Sequence, residues 1–241
     1  MRHRSVDLSL SKVARIIGLL YLAIIISGIF AEFFVRQSLF VAADAGATAQ
    51  NIIASEGLFR LGIAADIIMI SCDVALALLF YILLKPVNKS LSLLAAFFRL
   101  TQAAVLAVNL SNLFIVLQLL SGLDYLTGFS SIQLHAAVML SIKAHATGYS
   151  VGLIFFGIHC AILAYLLYRS DFIPRILGVL IGIAALGYLI DSFAQILVTN
   201  YANYQNIFTL VVFLPAFVGE LSLCLWLLVK GVKVSEERST I

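Results

Sequence analysis

The chain has 241 residues, of which 63% are hydrophobic and 11% charged, with mean hydropathy +1.10. A soluble domain carries about 25% charged residues, so the composition excludes a water-soluble globule and leaves no room for a separate soluble domain within these residues. The net charge of +3 matters only through where the basic residues fall, and there is no P-loop, dinucleotide-binding glycine motif or basic stripe suited to nucleic acid.

A helix crossing the hydrocarbon needs about 20 mostly apolar residues. Six such spans are expected, at about 13–35, 57–84, 91–120, 146–168, 175–198 and 207–230, giving an all-α polytopic membrane protein that forms one transmembrane domain over residues 1–241. The first run, Val13 to Val35, exceeds the roughly 7–15 residues of a signal-peptide core. It lacks a convincing small-residue cleavage site and reads as a retained helix. Residues 37–56 contain Asp44-Ala45-Gly46-Ala47-Thr48 and the apolar Ile52 and Ile53, which fits an interfacial helix. The short connections Lys85-Pro86-Val87-Asn88-Lys89-Ser90 and Arg169-Ser170-Asp171-Phe172-Ile173-Pro174 carry prolines just beyond helix ends. In residues 121–145, Ser130 and Gln133 have the spacing of a capping box, so the fourth span begins early or follows a short surface helix. Pro215 lies inside the sixth span, where it blocks a backbone hydrogen bond and frees a carbonyl near Val211. The tail from Ser235 to Thr240 is polar.

The basic residues set the orientation. Arg2, Arg4, Lys12, Arg15, Lys85, Lys89, Arg169, Arg175, Lys230, Lys233 and Arg238 all fall on one side if there are six spans. By the positive-inside rule that side is the cytoplasm, with both termini there. The three cysteines, Cys72, Cys160 and Cys224, lie inside apolar runs and imply no disulfide framework.

Charged residues inside spans are costly, at about 3 kcal/mol or more each unless paired or wetted, and so mark functional candidates. Asp73, Arg99, His159 and Glu220 lie on four different spans, each roughly 12–17 Å from the cytoplasmic edge at 1.5 Å per residue. They form a midplane layer. Asp66 shares the face of Asp73 about 10 Å further out, and Gln102, Asn109 and Asn112 continue outward from Arg99. Two carboxylates exceed one guanidinium, so the layer is protonatable or ready for a cation, and the carboxylates are expected to keep His159 protonated. A second, outer polar layer is expected from Glu32, Arg36, Glu56, Arg60, Lys143, His145 and Asp191. Glu32–Arg36 and Glu56–Arg60 have the i,i+4 spacing of helix-surface ion pairs that fix helix ends. Asp73, His159 and Glu220 have donor types that suit zinc or iron, but Arg99 in their midst opposes a cation, and no HExxH motif or cysteine pair occurs. No metal is expected, and no cofactor is specified.

Several strings carry a resemblance. They include Ala31-Glu32-Phe33-Phe34-Val35-Arg36, the run from Ser55 to Asp66, Cys72-Asp73-Val74-Ala75-Leu76-Ala77, Leu84-Lys85-Pro86-Val87-Asn88-Lys89, Phe156-Gly157-Ile158-His159-Cys160, Pro174-Arg175-Ile176-Leu177-Gly178 and Pro215-Ala216-Phe217-Val218-Gly219-Glu220. Together they resemble the bacterial membrane family known as domain of unknown function 4386, from about residue 13 to 233. The resemblance implies a bacterial cytoplasmic (inner) membrane protein of about six helices and carries over no activity. Three readings follow from the residues: small-molecule or proton-linked transport or ligand binding at the midplane layer, an intramembrane hydrolase or lipid-modifying enzyme, and a structural or accessory membrane protein. The expected partners are the lipid bilayer and a small-molecule or lipid ligand.

Overall fold

The apolar runs fold as helices, in a computed structural model that describes residues 9–232. These are α1 (Leu10–Leu39), α2 (Ala45–Ala54), α3 (Glu56–Leu84), α4 (Lys89–Leu119), α5 (Ser131–Arg169), α6 (Arg175–Leu197) and α7 (Gln205–Val229). No strand occurs among the described residues. The helix starts follow local chemistry. Ser9, Asp44 and Asn88 each accept a backbone N–H from the first turn. Ser130 and Gln133 form the full capping box. The fourth expected span is therefore the inner part of a 39-residue helix that starts at Ser131. At 1.5 Å per residue it is roughly 58 Å long, about twice the thickness of the hydrocarbon core. Its first turns meet α2, the expected interfacial helix, where Gly46 faces His135.

Among the described residues five helices, α1, α3, α4, α5 and α6, are long and apolar enough to cross a membrane. The sixth expected span corresponds to α7. Pro215 lies inside it and the helix continues past it. These six helices pack in a closed ring in chain order, α1–α3–α4–α5–α6–α7, with α7 returning to α1. The ring brings the two ends of the described chain together, since Gly231 lies beside Ser11 and Arg15. Arg2, Arg4, Lys233, Arg238 and the polar tail lie outside the described residues.

Small residues set the closest helix approaches. A Cβ on Gly178 would lie 2.7 Å from the Tyr168 nitrogen and 2.8 Å from the Ala164 oxygen, so α5 and α6 touch backbone to backbone there. A Cβ on Gly148 would collide with the Asn109 side chain across α4–α5. Gly182, the partner of Gly178 in its GxxxG pair, has only Ala164 Cβ at 3.5 Å and is not required to be glycine by contact.

Two apolar clusters fill the ring. One surrounds Val13, Leu83, Leu84, Leu166, Leu167 and Leu227 at the end where the two ends of the described chain meet. The other surrounds Val35, Ile63, Leu106, Leu113 and Val138 towards the opposite end. Between Leu76 of the first and Ile70 of the second lies Asp73, and between Ala95 and Ala103 lies Arg99. The polar layer thus separates two greasy halves.

Candidate functional site

The centre of the ring is occupied by Arg99, which has no exposed surface. Its Nη2 donates to Asp73 Oδ1 at 2.5 Å, and its Nη1 donates to His159 Nε2 at 3.0 Å. Asp73 Oδ2 accepts from Gln102 Nε2 at 3.2 Å. The guanidinium carbon lies 5.5 Å from the Tyr21 ring centre, 5.9 Å from that of Phe80 and 5.3 Å from that of Phe156. An aromatic enclosure of this kind attracts a cation through the ring faces, which offsets part of the cost of burying Arg99.

The donor pattern fixes the state of His159. A guanidinium has no acceptor, so Nε2 must accept and the ring proton sits on Nδ1. That nitrogen donates to the Ala95 carbonyl at 2.8 Å. His159 is neutral in this arrangement, and the expectation that nearby carboxylates keep it protonated is reversed. Arg99 bridges Asp73 and His159, and its N–H occupies the ring nitrogen that would bear the second proton.

Glu220 is in the same region but outside this pairing. The guanidinium bonds Asp73, and among the described residues Glu220 has no ion pair. Glu220 Oε1 accepts from Tyr188 Oη at 2.6 Å. Tyr21 faces both Arg99 and Glu220. Its hydroxyl, Arg99 Nε and Gln102 Oε1 are buried without hydrogen-bond partners among the described residues. The layer draws Tyr21 from α1, Asp73 from α3, Arg99 and Gln102 from α4, His159 from α5, Tyr188 from α6 and Glu220 from α7. All six ring helices contribute.

The outer polar residues divide into separate groups. The end of α1, Phe30–Arg36, is wound as a π-helix, a form often found at functional positions. Arg36 donates through Nε to Glu32 Oε2 at 2.7 Å and through Nη1 to Asp66 Oδ2 at 2.8 Å. Asp66 therefore belongs with the outer group and ties α3 to α1. Asn109 Nδ2 donates to the His145 carbonyl at 2.8 Å, while Asn112 Nδ2 donates to Asn109 Oδ1 at 2.9 Å. These contacts coincide with an interruption of α4 at Leu110, and backbone irregularity at membrane depth persists where protein satisfies it. Asp66, His145 and Tyr149 meet Met69, Ile70, Leu106 and Leu110 along a seam too tight to hold a water, on the faces of α3 and α4 that lead inward to Asp73 and Gln102. Glu56 and Arg60 form only an exposed local pair at 2.7 Å, and Lys143 is exposed. Asp191 takes Tyr201 Oη at 2.6 Å and Gln195 Nε2 at 2.9 Å, apart from the Arg36 group. Among the described residues no three His, Cys, Asp or Glu side chains come together to hold a metal.

Residues 16–231 match the family described as domain of unknown function (DUF4386). The chain belongs to that family. It is also similar to an uncharacterised protein of Archaeoglobus fulgidus, with 34% identity over 173 residues, covering 72% of this chain and 85% of the relative. No solved structure matches the chain.

Sequence reasoning missed the aromatic part of the DUF4386 layer. Tyr21, Phe80, Phe156 and Tyr188 complete it, and only the tyrosines left a signal. Tyrosine is usual at the membrane interface, whereas Tyr21 and Tyr188 sit well inside apolar runs.

Proposed function

We propose that this chain is a proton-linked small-molecule transporter or ligand-binding protein of the cytoplasmic (inner) membrane, with six crossings and both termini in the cytoplasm. One observation carries the reading: all six ring helices place a polar or charged side chain in one buried layer, and that layer includes a carboxylate, Glu220, without an ion pair among the described residues. Polar groups that merely hold helices together contribute only about 0.6–2 kcal/mol per contact, and an uncompensated carboxylate works against that purpose. In this reading the charged layer is the binding level, and the Arg36–Asp66 pair with His145 lies on its outer side, closed in this structure. The hydrolase reading is weaker, because both ring nitrogens of His159 are engaged and neither is free to activate a nucleophile.

The test uses purified protein in liposomes holding a pH-sensitive dye. A pH gradient is imposed, and pools of small organic cations, anions and neutral solutes are added outside in turn. One pool should dissipate the gradient faster than in empty liposomes, and Glu220→Gln should abolish the difference. If no pool does so with either polarity of gradient, the transport reading falls. Topology is checked separately. Single cysteines near Gly46, Thr127 and Asn203 should react with an impermeant reagent from outside, whereas those near Asn88 and Ser170 should not.

A further inference from the structure

The central layer holds two carboxyl groups that the ring treats differently. Asp73 receives the Arg99 guanidinium at one oxygen and the Gln102 amide at the other. It is 3% exposed and its charge is matched. Glu220 is 9% exposed and receives the Tyr188 hydroxyl. The groups facing it from the rest of the ring are Tyr21 on α1, Asp73 on α3, Arg99 on α4, Cys160 on α5 and Tyr188 on α6. The only cation among them is Arg99, and its two Nη groups are committed to Asp73 and His159.

The charges then sum simply. Arg99 and Asp73 cancel and His159 is neutral. An ionised Glu220 would leave one uncompensated negative charge at the centre of an apolar ring, and a carboxylate in that position is the costly form. A proton on Glu220 returns the layer to zero. It also turns the carboxyl into a donor beside the Tyr21 hydroxyl, a buried group with no other hydrogen-bond partner among the described residues.

From this geometry we infer that Glu220 is the proton-binding residue of the central layer, while Asp73 is the fixed counter-charge of Arg99. Resting on the transport or binding reading above, this deepens it by naming the coupled ion and its carrier. Protonated Glu220 closes the charge balance of the layer. Release of that proton to water leaves a single negative charge, which then favours a cation or a cationic group of the bound solute.

Infrared spectroscopy of the full chain reconstituted in lipid tests this without any assumption about transport. At neutral pH the wild type should show the carbonyl stretch of a protonated carboxylic acid, shifting on exchange into heavy water. The Glu220→Gln difference spectrum should show that band lost, and Asp73→Asn should retain it. If Glu220→Gln does not fold, Tyr188→Phe serves instead, because removing the hydroxyl that donates to Oε1 should move the same band to higher frequency. Absence of a protonated-acid band in the wild type overturns the inference. So does a band that persists unchanged in Glu220→Gln or in Tyr188→Phe. The band present and lost in Glu220→Gln, in a protein that dissipates no gradient, leaves the proton site standing and removes only the transport reading.

Discussion

Asp73 and Glu220 sit in the same buried layer and carry the same functional group, yet one is locked and the other is not. Asp73 has a guanidinium and an amide on its two oxygens. Glu220 has a tyrosine hydroxyl and no ion pair among the described residues. Depth alone does not decide what a buried acid does. What decides it is which helix carries the cation and where its donors point. Arg99 on α4 faces α3 and α5, its ring neighbours, so Asp73 and His159 take its two Nη groups. Glu220 on α7 is across the ring and is left with the tyrosines.

The largest test of this contrast is to remove the lock. Arg99→Leu leaves Asp73 buried without a cation and His159 Nε2 without a donor, a change that costs about 3–5 kcal/mol for a buried pair. Folded yield in detergent should fall steeply. Arg99→Leu combined with Asp73→Leu should recover much of it, since replacing both partners by apolar groups is often neutral. A double variant no better folded than the single one shows that Asp73 is not what Arg99 compensates.

A smaller loss is expected at His159. Phenylalanine keeps the ring's packing against Phe156 and Phe80 but removes the acceptor for Arg99 Nη1 and the donor to the Ala95 carbonyl. Unsatisfied buried groups cost about 1–3 kcal/mol, so thermal unfolding of His159→Phe should fall between wild type and Arg99→Leu. Because His159 is neutral in the fold but takes up a proton at the ordinary value of about 6.5 once unfolded, wild type should lose unfolding temperature as pH falls from 8 to 5 and His159→Phe should lack that loss. A wild type that instead gains stability over the variant as pH falls carries the proton on folded His159 and returns the proton switch to it.

The same contrast explains how much was legible in the sequence. Helix positions, the capping box and the shared depth of Asp73, Arg99, His159 and Glu220 follow from hydrophobic runs and a fixed rise per residue. Depth, however, is one coordinate. Which residues meet around a ring depends on helix order and rotation, and these come from packing contacts such as Gly178 on Ala164 and Tyr168. The sequence pattern makes Asp66 an outward extension of the midplane layer, because it shares a face of α3 with Asp73. Arg36 reaches it from the π-wound end of α1, and nothing in the residue pattern of Phe30–Arg36 announces that winding. Tyr21 and Tyr188 look like core aromatics in one dimension and become hydroxyl partners only once α1, α6 and α7 are side by side.

Glu220→Gln should be the mildest change within the layer. Glutamine reproduces the shape of a protonated glutamic acid and keeps an oxygen for the Tyr188 hydroxyl. Unfolding temperature should therefore move by the equivalent of less than about 1 kcal/mol, within the range of substitutions that break no buried interaction. A strong stabilisation would mean that the wild-type residue is ionised and strained, and would break the distinction from Asp73 at its root.

Asp191 gives the comparison a second setting for the arrangement at Glu220. It too accepts a tyrosine hydroxyl at 2.6 Å and has no ion pair among the described residues, but its tyrosine lies on the turn Tyr201–Asn203 outside the ring helices. Burial first, and then the bond to Asp191 and that carboxylate's charge, raise the Tyr201 hydroxyl above the ordinary phenol range. A phenol held protonated by the fold contributes its full stabilisation below the unfolded value of about 10 and loses it as pH climbs beyond that. Wild type and Tyr201→Phe should therefore run parallel from pH 6 to 9, with the variant slightly less stable. Above pH 10 the wild type should lose stability faster, because Tyr201 must then either give up its proton beside a carboxylate or leave the turn. The effect is the smallest of the four, since Tyr201 is only partly buried and solvent screens the charge. If the two curves stay parallel through pH 11, the Tyr201 hydroxyl does not hold Asp191 in solution, and a tyrosine cap on a carboxylate is significant here only when it is buried at the level of Glu220.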